Sequence, residues 1–321
     1  MNQQVLDEMY RIVDRCIHTD DLNGLMKSFI AARAEGGSVW AELAECSHRM
    51  LGGQSPHITK AAALAELIML TLDIVDDLQD RDKEHKVWMK CPETFTLNAV
   101  LGFLMVFMGE IGQLQLHAGQ TAPLLTTEVS QLIVSAVNGQ QKDINPLVNI
   151  KDESDYFNMV QLKSGSLIRL ACYMGYSLVE SQGEEISGRI DELAYSLGVI
   201  AQIENDVNNL EQFKGGNDLL QRKRTLPILY MLSQGRDSFP ELIQFYEGEQ
   251  TAEAFMQESS RDCLEAIADS GCLEYARIIQ SLYYDKAEEL FESIPGQSPW
   301  RERFRQATLG RFGTRALGNN G

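Results

Sequence analysis

Basic residues are scarce in this chain: 28 lysines and arginines stand against 46 aspartates and glutamates, a formal net charge of −18. A general nucleic-acid or anionic-membrane surface needs a basic footprint, so partners of that kind are excluded. A small anionic ligand is not, because a bound metal ion inverts the local field. Cysteine is sparse as well. The six cysteines (16, 46, 91, 172, 263 and 272) form no CxxC pair and share no metal-ligand spacing with the five histidines. Scattered thiols in 321 residues point to a reduced, cytoplasmic chain rather than a disulfide scaffold. The opening MNQQVLDEMY has no basic-then-apolar leader. No apolar run approaches the roughly 18 residues of a membrane span. The best, Ala61–Leu72, has twelve residues and includes Glu66, so no transmembrane segment is expected.

Proline is also rare, and its eight copies act as punctuation. They sit near the ends of segments in which apolar residues recur every three or four positions, as in Val5, Met9, Ile12 and Cys16. No strand alternation and no Asn-Gly hairpin interrupts them. The pattern predicts helices over about 3–18, 21–34, 37–50, 57–82, 93–117, 123–144, 152–179, 184–213, 224–233, 250–270 and 273–293. With no linker in view, the expectation is one all-α domain over residues 1–309. A glycine-rich tail, 310–321, should fray.

Residues 57–82 carry the first chemical signal. With Asp73 set at zero and about 100° advanced per residue, Asp76, Asp77 and Asp80 fall within about 60° of it. Leu64, Ile68, Val75 and Leu78 take the opposite face. Four acids on two turns repel one another by a few tenths of a kcal/mol per pair, so a hard, oxygen-seeking cation is a natural complement. Magnesium takes one or two carboxylates together with phosphates and water. A solvated acidic face would have the same pattern.

A second cluster follows in residues 198–213. Gln202, Asn205, Asp206 and Asn209 share roughly 100° of arc, with Ile203, Val207 and Leu210 turned away. Asp206 is a good metal ligand, and the amides are weaker oxygen donors. A plain polar helix face is the competing reading.

Asp76-Asp77-Leu78-Gln79-Asp80 resembles the first aspartate-rich motif, DDxxD, of the trans-prenyl diphosphate synthases and related class I terpene enzymes. The surrounding order agrees. Gly139–Ile144 resembles that family's GQxxD segment, Lys163–Ile168 its K[TS]GxLI, Gln202–Asn209 its second aspartate-rich motif, and Lys223–Pro227 its KxTLP. The resemblance covers about residues 50–230. It implies a bundle of long helices around a central cavity, and a homodimer. It also implies that Asp76, Asp77 and Asp80 hold two magnesium ions, while Asp206 with Asn205, Asn209 and Gln202 holds or orients a third. Lys163 and Lys223 would contact the diphosphate, with Gln140 and Asp143 nearby and Arg222 and Arg224 adding positive potential.

The departures from the pattern are as informative. Chain-elongating synthases carry GGKRxRP ahead of the first motif to grip a second, isopentenyl diphosphate. Here Gly52-Gly53 is followed by Gln54-Ser55-Pro56-His57. Where those enzymes have an arginine pair after the motif, this chain has His85-Lys86-Val87. The chain looks closest to the ComQ-type isoprenyl transferases, which modify the tryptophan of a competence pheromone precursor peptide. That resemblance implies an allylic prenyl diphosphate (geranyl or farnesyl) as donor and a small peptide as acceptor. The indole C3 would attack the allylic cation. A short-chain prenyl diphosphate synthase, a class I terpene cyclase and a non-catalytic partner subunit are the rival readings.

Other residues were weighed on the same basis. His85 and Lys86, one to two turns past Asp80, are candidates for contacting diphosphate or peptide. Met69 and Leu72 lie on the stripe leading away from the carboxylates and would wall the prenyl cavity, or simply pack the core. Trp88 is either a platform for an incoming indole or a structural residue. The cysteines are expected to be buried and inert.

Overall fold

The computed structural model describes residues 1–81, 83–118, 125–180, 183–212, 218–235, 238–258, 265 and 267–312. Among these there are helices and turns and no β-strand, as the periodicity predicts. In chain order the helices are α1 (Gln3–Cys16), α2 (Asp20–Gly36), α3 (Trp40–Met50), α4 (Ile58–Asp80), α5 (Val87–Lys90), α6 (Glu93–Ala118), α7 (Leu125–Ile144), α8 (Pro146–Asn149) and α9 (Glu153–Val160). They continue with α10 (Ser166–Tyr176), α11 (Glu184–Gln212), α12 (Leu226–Ser233), α13 (Pro240–Tyr246), α14 (Ala252–Glu258), α15 (Cys272–Ser293) and α16 (Trp300–Ala307). Short α5, α8, α13 and α16 were not foreseen, because one or two turns display too little period to read.

The described residues fall into two compact units, one of 1–133, 167–192 and 290–312, the other of 134–166 and 193–289. Every boundary lies inside a helix, so no Pro- or Gly-rich linker announces the division. Of the expected tail, residues 313–321 lie outside the described set.

In the first unit α4 is the central helix, in contact with α1, α3 and α6. Ala61 to Thr71 are buried on every face, which explains the continuous apolar spelling of that stretch. Its one charge, Glu66, is fully buried and accepts from Ser38 Oγ at 2.7 Å and from the Ala41 amide at 2.9 Å. Arg33 of α2 pairs with Glu66 and, two turns on, with Asp73, so Asp73 serves the scaffold.

The α6 stretch Glu93–Leu114 is long and apolar enough to cross a membrane by length and composition. This corrects the expectation that no apolar stretch reaches that length, which fails because polar residues interspersed in α6 break up its apolar spelling. Its inner face packs Phe103, Phe107 and Ile111, and its buried Glu110 is paired with Arg15 and Lys60, each at 2.6 Å. Leu97, Leu101 and Met105, spaced four apart, are 46%, 60% and 68% exposed.

In the second unit two apolar clusters form the core. One joins Tyr156, Met159 and Val160 of α9 to Val199, Ile203 and Val207 of α11 and to Leu226 and Leu229 of α12. The other joins Met231, Leu242, Phe245 and Phe255 around α12 to α14.

The thiols are less uniform than expected. Cys46, Cys172 and Cys272 are buried, but Cys16 is exposed and Cys91 half-buried. Cys263 lies outside the described residues.

Candidate active site

In the first unit the acid-rich end of α4 separates into two kinds of carboxylate. The buried side of the last turns runs through Leu70, Ile74 and Asp77, rather than through Val75 and Leu78 as the helical wheel suggested. Asp77 is only 2% exposed and both of its oxygens are engaged, one by Lys83 Nζ at 2.7 Å and the other by Trp88 Nε1 at 2.8 Å. These two bonds tie Asp77 to the segment that follows the helix. Asp76 and Asp80, a full turn apart, stay on the partly exposed side.

Past Asp80 the chain reverses through Arg81, whose φ of 54° is left-handed and whose amide still donates to Asp77 O at 2.9 Å. Trp88 is buried, with its ring edge-on to Phe29 at 6.0 Å and its carbonyl accepting from Thr96 Oγ1. It is a structural tryptophan, not an indole platform. Lys86 lies over its ring at 5.4 Å, and His85 is exposed. Met69 is fully buried and Leu72 partly so.

In the GGQSPH segment the glycines are retained for packing. A side chain at Gly53 would come within 2.4 Å of the His48 ring. The Ser55 amide donates to His48 Nε2 at 3.0 Å, so the ring proton sits on Nδ1, which donates to Gly175 O at 3.0 Å.

In the second unit the α-helical ladder between α9 and α10 widens to a π-turn over Gln161–Gly165, a device that is often found at functional sites. Glycines permit it. An added Cβ at Gly139 would lie 2.3 Å from the Lys163 amide nitrogen, and one at Gly198 would lie 2.8 Å from that of Gly165. The glycines of GQxxD and KSG thus belong to a single backbone crossing.

From this turn Lys163 Nζ donates to Asp143 Oδ2 at 2.7 Å, and Lys223 Nζ lies 3.7 Å from the same oxygen and 3.4 Å from Asp218. Burial pushes the Asp143 carboxyl upward, but the two ammonium groups outweigh it and hold it below the usual aspartate value. Lys223 is set by its surroundings: its amide donates to Asp218 O at 2.8 Å and its carbonyl accepts from Tyr246 OH at 2.7 Å. Gln140 is partly exposed, one turn before Asp143.

Asp206 is 2% exposed, accepting from Tyr156 OH at 2.7 Å and from Gln202 Nε2 at 2.9 Å. Ser164 Oγ in turn donates to Gln202 Oε1 at 3.1 Å. Burial, then the like charge of Asp218, pushes the Asp206 carboxyl up to about 7, against the pull of its two donors. Asn205 is exposed, whereas Asn209 uses its oxygen to accept from the Asp218 amide at 2.9 Å. Asn209 thus braces the start of the segment that leads to Lys223. Tyr156 was missed by sequence reasoning. Its position two turns before Lys163, amid the apolar period of α9, looks like ordinary core.

Each unit by itself carries donors that fit a divalent cation. In the first, Asp76 and Asp80 are two carboxylate sites one turn apart, as magnesium prefers when phosphates complete its shell. In the second, Asp206 is a buried carboxylate near the like charge of Asp218, and burial disfavours its charged form until a cation arrives. Among the described residues no three histidines, cysteines or carboxylates converge as a ready-made metal cage.

The described residues thus combine an acid-rich helix end in the first unit with, in the second, a π-turn lysine held against a buried carboxylate. The model of the family described as polyprenyl synthetase matches residues 32–263, and the chain belongs to that family, whose members transfer prenyl groups. It is 28% identical over 292 residues to tryptophan prenyltransferase ComQ of Bacillus subtilis subsp. natto (strain BEST195), covering 91% of this chain and 87% of that protein. To the protein of the same name from Bacillus subtilis (strain 168) it is 28% identical over 311 residues, covering 94% and 96%. Among solved structures, a geranylgeranyl pyrophosphate synthase superposes with a TM-score of 0.79 at 17% identity, covering 97% of this chain and 99% of that one. Heptaprenyl diphosphate synthase from Staphylococcus aureus gives 0.77 at 18%, covering 98% and 99%. These two likenesses establish the helical isoprenoid-synthase fold.

Proposed function

We propose that this prenyltransferase is magnesium-dependent, ionises geranyl or farnesyl diphosphate, and transfers the prenyl group to a tryptophan of a small pheromone-precursor peptide. One observation carries the reading. The chain keeps the groups that serve an allylic diphosphate, Asp76 and Asp80 on α4 and Lys163 and Lys223 beside Asp143, while Gln54–His57 offers no lysine or arginine for a second one. The activity named for the two Bacillus relatives supports tryptophan as the acceptor.

The chemistry follows from charge. Magnesium, when bound, neutralises the diphosphate and makes it a competent leaving group. Asp76 and Asp80 would hold it, with Asp206, Asn205 and Gln202 as the second set of oxygens. Lys163 and Lys223, already placed by the π-turn and by Tyr246, add preorganised positive charge where the leaving group's charge develops. The C–O bond breaks with its electron pair going to the diphosphate. The indole C3 then bonds to the allylic carbon, a backbone nitrogen closes on C2, and the nitrogen's proton passes to the released diphosphate. His85 and Lys86 flank the donor end, and Met69 and Leu72 belong to the prenyl-facing stripe. The exposed Leu97, Leu101 and Met105 stripe on α6 supports a homodimer, which light scattering tests.

The deciding experiment incubates the protein with labelled geranyl and farnesyl diphosphates, with and without isopentenyl diphosphate and a tryptophan-containing peptide. The expected result is prenylated peptide, only slow hydrolysis without peptide, and no saturation by isopentenyl diphosphate at micromolar levels. Longer diphosphates would instead identify a chain-elongating synthase, and hydrocarbons a terpene cyclase.

A further inference from the structure

The second unit holds a cavity of about 590 Å³ beside the start of α9, and nothing described so far uses it. Arg224, Leu229, Leu232 and Ile243 line it, with the ammonium of Lys151 and the carboxylates of Asp152, Glu153 and Glu247 also in its wall. Arg224 Nη1 donates to Ile150 O at 2.8 Å, its Nε is buried without a hydrogen-bond partner, and no carboxylate among the described residues pairs with it. In a chain of net charge −18, a guanidinium left without an anion inside a pocket calls for one from outside.

The charge balance selects the anion. Three carboxylates against one ammonium and one guanidinium disfavour a diphosphate, which brings several negative charges, whereas a single carboxylate needs only the guanidinium that has no acid partner. The apolar wall suits an aliphatic side chain next to that carboxylate, and the wall carboxylates suit peptide N–H donors. From this geometry we infer that the Arg224 pocket binds the C-terminal carboxylate and adjoining apolar side chain of the acceptor peptide, an inference that rests on the acceptor being a peptide. The pocket also adjoins the donor machinery. Arg224 follows Lys223 directly, and Tyr246, which lines the pocket, holds the Lys223 carbonyl at 2.7 Å.

The test uses the full-length enzyme, geranyl diphosphate, and a synthetic tryptophan-containing heptapeptide ending in leucine, as free acid and as C-terminal amide. The wild-type KM for the amide should exceed that for the acid at least tenfold, and Arg224→Gln should erase the difference. Ser233→Trp, at an exposed position on the pocket rim, should raise the KM for the acid at least tenfold relative to the KM for geranyl diphosphate. Equal wild-type KM values for acid and amide overturn the assignment. So does an Arg224→Gln enzyme that still prefers the acid while its KM for geranyl diphosphate rises. If neither peptide is prenylated, calorimetric binding separates the two ideas. An acid-over-amide preference that Arg224→Gln abolishes keeps the pocket and rejects the acceptor reading, and no preference rejects both.

Discussion

The indole of Trp88 donates its Nε1–H to Asp77 Oδ2 at 2.8 Å, and Lys83 takes the other oxygen. This pair sorts the aspartates of the DDxxD segment by a single helical step. Asp76 and Asp80 are a full turn apart on one line of α4, while Asp77 is rotated about 100° from Asp76 and is spent on closing the 81–88 segment against the core.

Asp77→Ala should therefore be a stability variant. It leaves a buried indole N–H and an ammonium group without their acceptor, which costs about 2–4 kcal/mol. Asp80→Ala, on the partly exposed line, should cost less than about 1 kcal/mol. Urea unfolding of the two proteins checks the contrast, and equal losses would contradict it.

Activity should sort the same residues the other way. Asp76→Ala and Asp80→Ala should lower kcat by at least about 100-fold and leave the unfolding midpoint nearly in place. Single-turnover release of diphosphate measures this directly. Retained turnover would remove both residues from the proposed donor site.

Gly139→Ala and Gly198→Ala should both disturb the π-turn that carries Lys163. Each new methyl lands 2.3–2.8 Å from a backbone nitrogen of that turn, and backbone yields less readily than a flexible side chain. The expected outcome is a KM for the allylic diphosphate raised at least about tenfold, together with about 1–3 kcal/mol of lost stability. Gly24→Ala, where an added Cβ meets nothing within 4 Å, is the control.

His48 gives a pH signature. Burial holds its imidazole below the usual 6.5, aided by Arg49 and opposed by the Gly175 hydrogen bond. Below pH 6.5 the unfolded chain takes up a proton that the folded chain resists, so this contribution to stability is present above 6.5 and lost on acidification. The denaturation midpoint should fall from about pH 7.5 to about pH 5.5, and His48→Gln should flatten that slope while lowering stability at the upper pH. A slope unchanged by the substitution would exclude His48 as its source.

Spacing made much of this readable. The recurrence of apolar residues every three or four positions, as at Val5, Met9 and Ile12, specifies helices without reference to anything distant. The order of the acid, glycine and lysine motifs is likewise a property of the chain. The helical wheel of α4 misjudged Asp77 because the buried side of a helix is chosen by its neighbours. Phe29 packs against the indole that draws this carboxylate inward, and Thr96 holds the carbonyl of the same residue. Nor does helical spacing reveal the partner of Asn209, an amide nine residues away.

By itself, then, the sequence determined the all-helical class, the order of the family's motifs, and the lack of lysine or arginine in Gln54–His57, since all three depend on composition and local spacing. Only the tertiary structure decided that Asp77 turns inward to Trp88, that two glycines exist to let a π-turn pass between α7 and α11, and that Tyr156 holds Asp206. Each of these follows from contacts between segments distant in the chain, and helical period carries no information about them.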